Sequence, residues 1–339
     1  MRIGILGLGR IGAFHAGTLA GLDVVEELVV SDPVAAAASA AAEKFGATVA
    51  DSPEAVFASG IDGVVITAAT DAHPGLILAA VEAGIPVFCE KPVAKTVEES
   101  LTVLHAVRDS GIEAQIGFNR RFDAGCVTAR EAVLSGELGT LHTVRSTTLD
   151  PAPPPAAYVA VSGGIFRDCA VHDFDVVRWV TGREVVEVYA TGGNKGAEYI
   201  EEAGDVDTAS ALLTFDDGTI GVISNTRHNA RGYDVRLEVH GMKDSIAAGL
   251  DTQLPLRSAE PGVTFPPGPP HTFFMDRFAP AYRAELTAFT EVVAGTRTSP
   301  CTVADALEAS WIAEAATLSV AQHRPVRLDE VRKEGARAA

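Results

Sequence analysis

The opening of the chain constrains the fold more than any other stretch. Arg2 to Leu6 is a short apolar run, Gly7-Leu8-Gly9-Arg10-Ile11-Gly12 follows at once, and Ala13 to Leu22 then carries the apolar spacing of a helix. A strand that stops at glycines and restarts as a helix begins a βαβ unit. The G-x-G-x-x-G spacing gives each glycine a task. Gly7 allows the tight turn, Gly9 lets a pyrophosphate approach the backbone, and Gly12 brings helix and strand close. Arg10 and Ile11 lie between them, where the helix N-terminus presents N–H groups and a positive dipole end to phosphates.

Asp32 stands twenty residues past Gly12, at the end of a second apolar run, Glu27 to Ser31. A carboxylate at that place accepts hydrogen bonds from an adenosine ribose. The next basic residue is Lys44. A ribose 2′-phosphate would therefore meet negative charge and no counter-ion, so the expected cofactor is NAD rather than NADP. The plain alternatives are a tight turn and a solvated acid. Strand, glycines, helix and acid in this order favour a dinucleotide.

The same alternation continues. Gly63 to Thr67, Pro86 to Cys89 and Glu113 to Gly117 read as strands, with helices over Ala35 to Phe45, Pro74 to Ala83 and Val97 to Ser110. Strands alternating with helices imply a parallel sheet and an α/β domain. Beyond it, Thr140 to Thr148, Val185 to Thr191, Ser210 to Phe215, Thr219 to Asn225 and Val235 to Gly241 read as strands, and Asp216-Asp217-Gly218 as a hairpin turn. Helices are expected over Ile165 to Val180, Tyr282 to Ala294 and Val303 to Gln322. The second part thus reads as α+β with an open, mostly antiparallel sheet. A length of 339 residues fits two domains of about 150 residues each, divided as 1–118 and 119–339.

Charge bounds the partners. Lys plus Arg is 27 and Asp plus Glu is 45, a net charge of −18. Nucleic acid needs a basic stripe, and an anionic membrane surface needs basic segments. Both are argued against. No apolar run reaches the roughly 18 residues of a membrane span, and the N-terminus leads into glycines rather than a cleavage site, so no signal peptide is expected. Cys89, Cys126, Cys169 and Cys301 form no CxxC pair and no zinc spacing. Reduced thiols, a cytoplasmic address and no metal are the expectation.

Two further places carry chemistry. Glu90-Lys91-Pro92 follows a strand, and ligands of open parallel sheets sit beyond the carboxyl ends of the strands. Lys91 there suits a substrate hydroxyl and the alkoxide that develops on it; the alternative is a solvated loop lysine. Asp168 and His172 follow Gly163-Gly164 in a helical pattern at i,i+4 and share a face. A histidine beside a carboxylate suits general-base work near neutral pH. A helix-start acid and half of a zinc site compete with that reading, but no second ligand cluster is evident.

Together these motifs resemble the glucose–fructose oxidoreductase / inositol dehydrogenase (Gfo/Idh/MocA) family over essentially the full length. The markers are Gly7 to Gly12, Glu90-Lys91-Pro92, and Gly163-Gly164 with Asp168 and His172. Within it the chain is most similar to myo-inositol 2-dehydrogenases, through Gly117 to Asp123, Asp150 to Pro155, Phe166 to Asp175 and Gly232-Tyr233-Asp234. The resemblance implies an N-terminal Rossmann domain and a C-terminal α+β domain that binds substrate and builds a homotetramer. It implies a catalytic triad of Lys91, Asp168 and His172, with His172 as the base, and a cis peptide at Pro92. Thr67, His73, Glu90 and Lys91 would join Gly7, Gly9, Arg10, Ile11, Gly12 and Asp32 around NAD. Arg120, Asp150 and Tyr233 would line a polyol pocket with Asp168 and His172. Leu149 stands where many relatives have Arg, and Thr67 to His73 lacks a usual Asn.

The expectation is NAD-dependent oxidation of a cyclitol, myo-inositol to scyllo-inosose. The same chemistry on another inositol isomer or an aldose is the alternative. A non-catalytic NAD-binding regulator would be expected to lack the triad.

Overall fold

A computed structural model of the chain describes residues 1–332. These divide into two units: Met1–Asn119 with Pro280–Leu307, and Arg120–Ala279 with the chain from Glu308 onward.

In the first unit β1 (Arg2–Leu6), α1 (Arg10–Ala20), β2 (Glu27–Ser31), α2 (Ala35–Phe45), β3 (Thr48–Val49), α3 (Pro53–Ala58), β4 (Gly63–Ile66), α4 (His73–Ala83), β5 (Val87–Glu90), α5 (Val97–Ser110) and β6 (Ala114–Gly117) alternate. The strands pair in the order β3-β2-β1-β4-β5-β6, all parallel. The order reverses direction beside β1, which is the switch point where such sheets bind ligands. The central strands are buried on both faces and read as nearly continuous apolar runs for that reason. Helix α1 starts at Arg10, three residues before the apolar pattern predicts, and Gly12 sits inside its first turn. Helix α5 is set by a capping box between Thr96 and Glu99. Ile3, Ile5, Val65 and Phe88 pack in one core with Leu286, Phe289 and Val292.

The second unit begins with α6 (Ala124–Leu134) and β7 (Leu141–Leu149), then α7 (Ala156–Val159), a π-helical turn Phe166–Ala170, α8 (Val171–Thr181), β8 (Val185–Gly193), α9 (Glu198–Glu202), β9 (Thr208–Phe215), β10 (Ile220–Thr226), β11 (Asp234–Gly241) and β12 (Ser245–Ala248). After α10 (Phe274–Arg277) come α11 (Ala279–Val293), α12 (Val303–Gln322) and β13 (Val326–Arg327). The sheet order is β12-β11-β7-β10-β9-β8-β13. Its pairs are antiparallel except β7 with β10, which run parallel. The β9–β10 hairpin turns where Asp216-Asp217-Gly218 predicts it, with Gly218 at φ +86°. Along β9, exposed Thr208, Ser210, Leu212 and Thr214 alternate with buried Ala209, Ala211, Leu213 and Phe215, so one sheet face is covered and the other open.

No helix of the described residues is long and apolar enough to cross a membrane.

Candidate functional site

The glycine loop has the shape of a phosphate cradle. Gly7 takes φ +96°, a conformation side chains rarely adopt, and its N–H donates to the Ser31 carbonyl at 2.9 Å. A Cβ on Gly12 would lie 2.1 Å from the Gly7 carbonyl oxygen, whereas a Cβ on Gly9 would meet nothing within 4 Å. Helix and strand therefore touch at Gly12 while the outer side of the loop at Gly9 stays open. A pyrophosphate needs both features, and the residues present fit NAD. Asp32 does more than the sequence predicts. Its Oδ2 accepts from Leu8 N–H at 2.6 Å and its Oδ1 from Val34 N–H at 2.7 Å. It braces the loop while its remaining lone pairs stay available to a ribose.

The neighbouring loops are tied together by buried side chains. The Thr67 hydroxyl donates to the Gly7 carbonyl at 2.7 Å. His73 places Nδ1 2.7 Å from the Pro92 carbonyl oxygen and Nε2 3.0 Å from that of Ala68. It thereby links the segment after β4 to the segment after β5, which carries Lys91 and the cis Lys91–Pro92 peptide. Glu90 Oε1 lies 2.7 Å from His15 Nε2. The resemblance implied cofactor contacts for Thr67, His73 and Glu90. In the structure these side chains hold the loops around the cradle.

In the second unit Asp168 lies in the π-helical turn and His172 is the second residue of α8. The sequence pattern implies a regular α-helix here; the structure has a π turn, a local irregularity often found at functional sites. Asp168 Oδ1 accepts from the Tyr158 hydroxyl at 2.7 Å and Oδ2 from Arg227 Nη1 at 3.1 Å. Both oxygens of the carboxylate are engaged one helical turn before His172.

Beneath them is a buried polar network that sequence reasoning missed. Asp173 is fully buried and accepts from Arg120 Nη1 at 2.6 Å, Ser146 Oγ at 2.5 Å, Thr148 Oγ1 at 2.8 Å and Asn225 Nδ2 at 2.7 Å. Arg120 also donates to Thr148 Oγ1 at 2.8 Å. Burial opposes the Arg120 charge, but Asp173 beside it holds the guanidinium protonated and raises its pKa. The adjacent Arg121 binds both oxygens of Asp175, at 2.9 and 2.5 Å. Two neighbouring arginines thus grip two aspartates on α8 and fix the helix that carries His172. Asp173 and Asp175 flanking Phe174, just before the apolar pair Val176-Val177, were the available signal.

Tyr233 is buried edge-on against Phe278, with ring centroids 6.3 Å apart, and burial pushes its phenol well up. Asp150 is half-buried. Its N–H donates to the Thr226 carbonyl at 2.8 Å, and its own carbonyl accepts from Asn229 at 2.7 Å. Cys169 lies among these groups: burial first, then the charges of Asp150 and Asp173, pushes its thiol well up. Burial also raises Cys89, and pushes Cys126 up to about 12. Thiolate is the reactive form. Native protein at neutral pH is therefore expected to leave Cys89, Cys126 and Cys169 unmodified by iodoacetamide, with all three labelled after denaturation. Mass spectrometry showing native alkylation of Cys169 would contradict its burial.

Comparison with known proteins places these features in company. Residues 1–118 match the family described as "Oxidoreductase family, NAD-binding Rossmann fold". Residues 126–247 match the GFO/IDH/MocA C-terminal domain. An inositol 2-dehydrogenase of Rhizobium meliloti is 38% identical over 330 residues, 97% of this chain and 99% of that protein. The crystal structure of a myo-inositol dehydrogenase from Corynebacterium glutamicum matches with a TM-score of 0.89 and 38% identity, covering 97% of this chain and 98% of that one. The scyllo-inositol dehydrogenase from Lactobacillus casei, solved with bound NAD(H) and scyllo-inositol, matches with a TM-score of 0.88 and 29% identity, covering 97% and 99%.

Proposed function

The chain belongs to the GFO/IDH/MocA family of oxidoreductases, and from that premise we propose that it oxidises a hydroxyl of a cyclitol, myo-inositol to scyllo-inosose. NAD, when bound on the Gly7–Gly12 loop, supplies the hydride acceptor. The observation that carries the reading is Asp168, a carboxylate engaged at both oxygens one turn before His172. A base works when a third group orients it.

In this reading His172 takes the hydroxyl proton as the hydride leaves the same carbon. Asp168 orients the imidazole and stabilises the imidazolium that forms. Lys91 donates to the reacting oxygen and stabilises the negative charge developing there. Asp150 contacts a hydroxyl of the polyol, and Arg120 and Tyr233 support that pocket from below. A cyclitol is uncharged and rich in hydroxyls, and a site built to hydrogen-bond them rejects analogues that leave its groups unmatched. Leu149 and the altered Thr67–His73 segment bear on which isomer is taken, and the scyllo isomer is the first competitor. Lys91, Asp168 and His172 are all retained, which speaks against a non-catalytic regulator.

The open sheet face carries half-exposed Leu212 and Ile220. Such a face suits a partner copy, and the homotetramer belongs to the same reading.

The test is reduction of NAD or NADP followed at the nicotinamide absorbance with myo-, scyllo- and D-chiro-inositol, glucose and xylose. The fastest reduction is expected with an inositol and NAD. Equal rates with NADP would remove the role given to Asp32, and activity confined to the aldoses would overturn the cyclitol.

A further inference from the structure

We propose that Arg227 is a positioning residue for the reaction: it holds the Asp168 carboxylate, and with it the turn that leads into His172. The proposal rests on the reading of Asp168 and His172 given above.

Arg227 is the residue just past the end of β10, and its side chain is among the largest fully buried in the described residues. A buried guanidinium is costly unless it is paired. Here it has two carboxylates. Nη1 donates to Asp168 Oδ2 at 3.1 Å, and Nη2 lies 3.7 Å from Asp205 Oδ2. The charges of Asp168 and Asp205 also raise the Arg227 pKa against the opposing effect of burial.

The two partners hold the two ends of one short segment. Asp205 Oδ1 accepts from Ile165 N–H at 3.0 Å. Gly164 sits directly against that carboxylate, where a Cβ would lie 3.0 Å from Oδ1, and its φ of +89° favours glycine in any case. Asp168 lies at the other end, inside the π-helical turn. Arg227 therefore bridges the start of the Gly164–Asp168 segment and its catalytic carboxylate. Its own backbone is fixed by a 2.8 Å bond from its N–H to the Asp207 carbonyl.

Geometry explains why arginine stands here. A planar guanidinium can donate to Asp168 from one terminal nitrogen while its other terminal nitrogen faces Asp205 at ion-pair distance, whereas a lysine ammonium is a single point charge. The Tyr158 hydroxyl holds the other oxygen of Asp168, but it comes from a half-exposed side chain on the four-residue helix α7. Arg227 is buried and therefore a firmer hold than that hydroxyl.

The experiment uses the full-length protein with NAD and the cyclitol that gives the highest rate. Arg227→Met and Arg227→Lys are expected to lower kcat roughly 10–100-fold, the worth of a hydrogen bond to a charged group. The Kd for NAD, read by fluorescence, should stay within about twofold of the parent, as expected for an effect outside the cofactor domain. Added guanidine should restore part of the rate in Arg227→Met and none in Asp168→Asn. If Arg227 acts through Asp168, adding Arg227→Lys to Asp168→Asn should cost little more than Asp168→Asn alone. Should Arg227→Met fail to fold, Arg227→Lys, which keeps the charge, carries the test.

Normal kcat in Arg227→Lys, or losses that multiply fully in the double variant, would overturn the proposal. His172→Ala separates this from failure of the underlying reading. If His172→Ala is nearly inactive and Arg227→Lys is normal, only the inference about Arg227 falls. If His172→Ala turns over normally, the reading of the base falls first.

Discussion

Replacing His172 by Ala is expected to lower kcat roughly 10²–10⁴-fold, the usual worth of a positioned general base. That loss corresponds to about 3–5 kcal/mol of transition-state stabilisation. NAD binding should survive, because the glycine cradle with Asp32, Thr67 and Gly7 is built wholly within the first unit. The two quantities to measure are kcat by NADH formation and the Kd of NAD by fluorescence. A drop in both would point to lost folding rather than lost chemistry. Near-normal turnover would end the assignment of His172 as the base. If His172 is the base, activity of the parent should rise with pH as the imidazole loses its proton, and the residual activity of His172→Ala should lack that rise.

Replacing Arg120 by Met is expected to destabilise the second unit by about 3–5 kcal/mol, the cost of leaving a buried charge without its partner. Asp173 would keep its bonds from Ser146, Thr148 and Asn225, but with no cation beside a fully buried carboxylate. Both tryptophans, Trp179 and Trp311, lie in the second unit. Intrinsic fluorescence in urea therefore reports the unit that changes. The midpoint should fall clearly in Arg120→Met and recover in large part in Arg120→Met/Asp173→Leu, where neither charge is left alone. An unchanged midpoint in the single variant would show that the pair contributes no net stability.

Most of the strand and helix alternation of the first unit was legible because those elements carry their own local signal, apolar runs of four or five residues with glycines near their ends; the two-residue strand β3 and the short helix α3 carry no such run and were not. The glycine loop and Asp32 were legible for the same reason, since the cradle is made from one continuous stretch and a single acid. Helix α6 was not. Ala124–Leu134 holds small and charged residues with little apolar periodicity, so it depends on packing rather than pattern. The short strand β12 was hidden because its pairing with β11 supplies most of what makes it a strand. The parallel β7–β10 pair joins strands distant in sequence, and hairpin signals say nothing about such pairs. The site divides in the same way. Asp168 and His172 show up as a local pair, while Arg227, Asn225 and Thr148 reach Asp168 and Asp173 only through the fold. Arg120 was named only as a pocket residue that the resemblance implies, and its tie to Asp173 rests on a contact 53 residues away.

The return of Pro280–Leu307 to the first unit bears on how such a protein can be rearranged by recombination. Phe289 meets the Phe88 ring at 5.9 Å, and Leu286 and Val292 share the core of Ile3, Ile5 and Val65. A single crossover near residue 118 would pass on the sheet without part of its own interior. An exchange that transplants this unit whole needs two crossovers at its C-terminal segment besides the first.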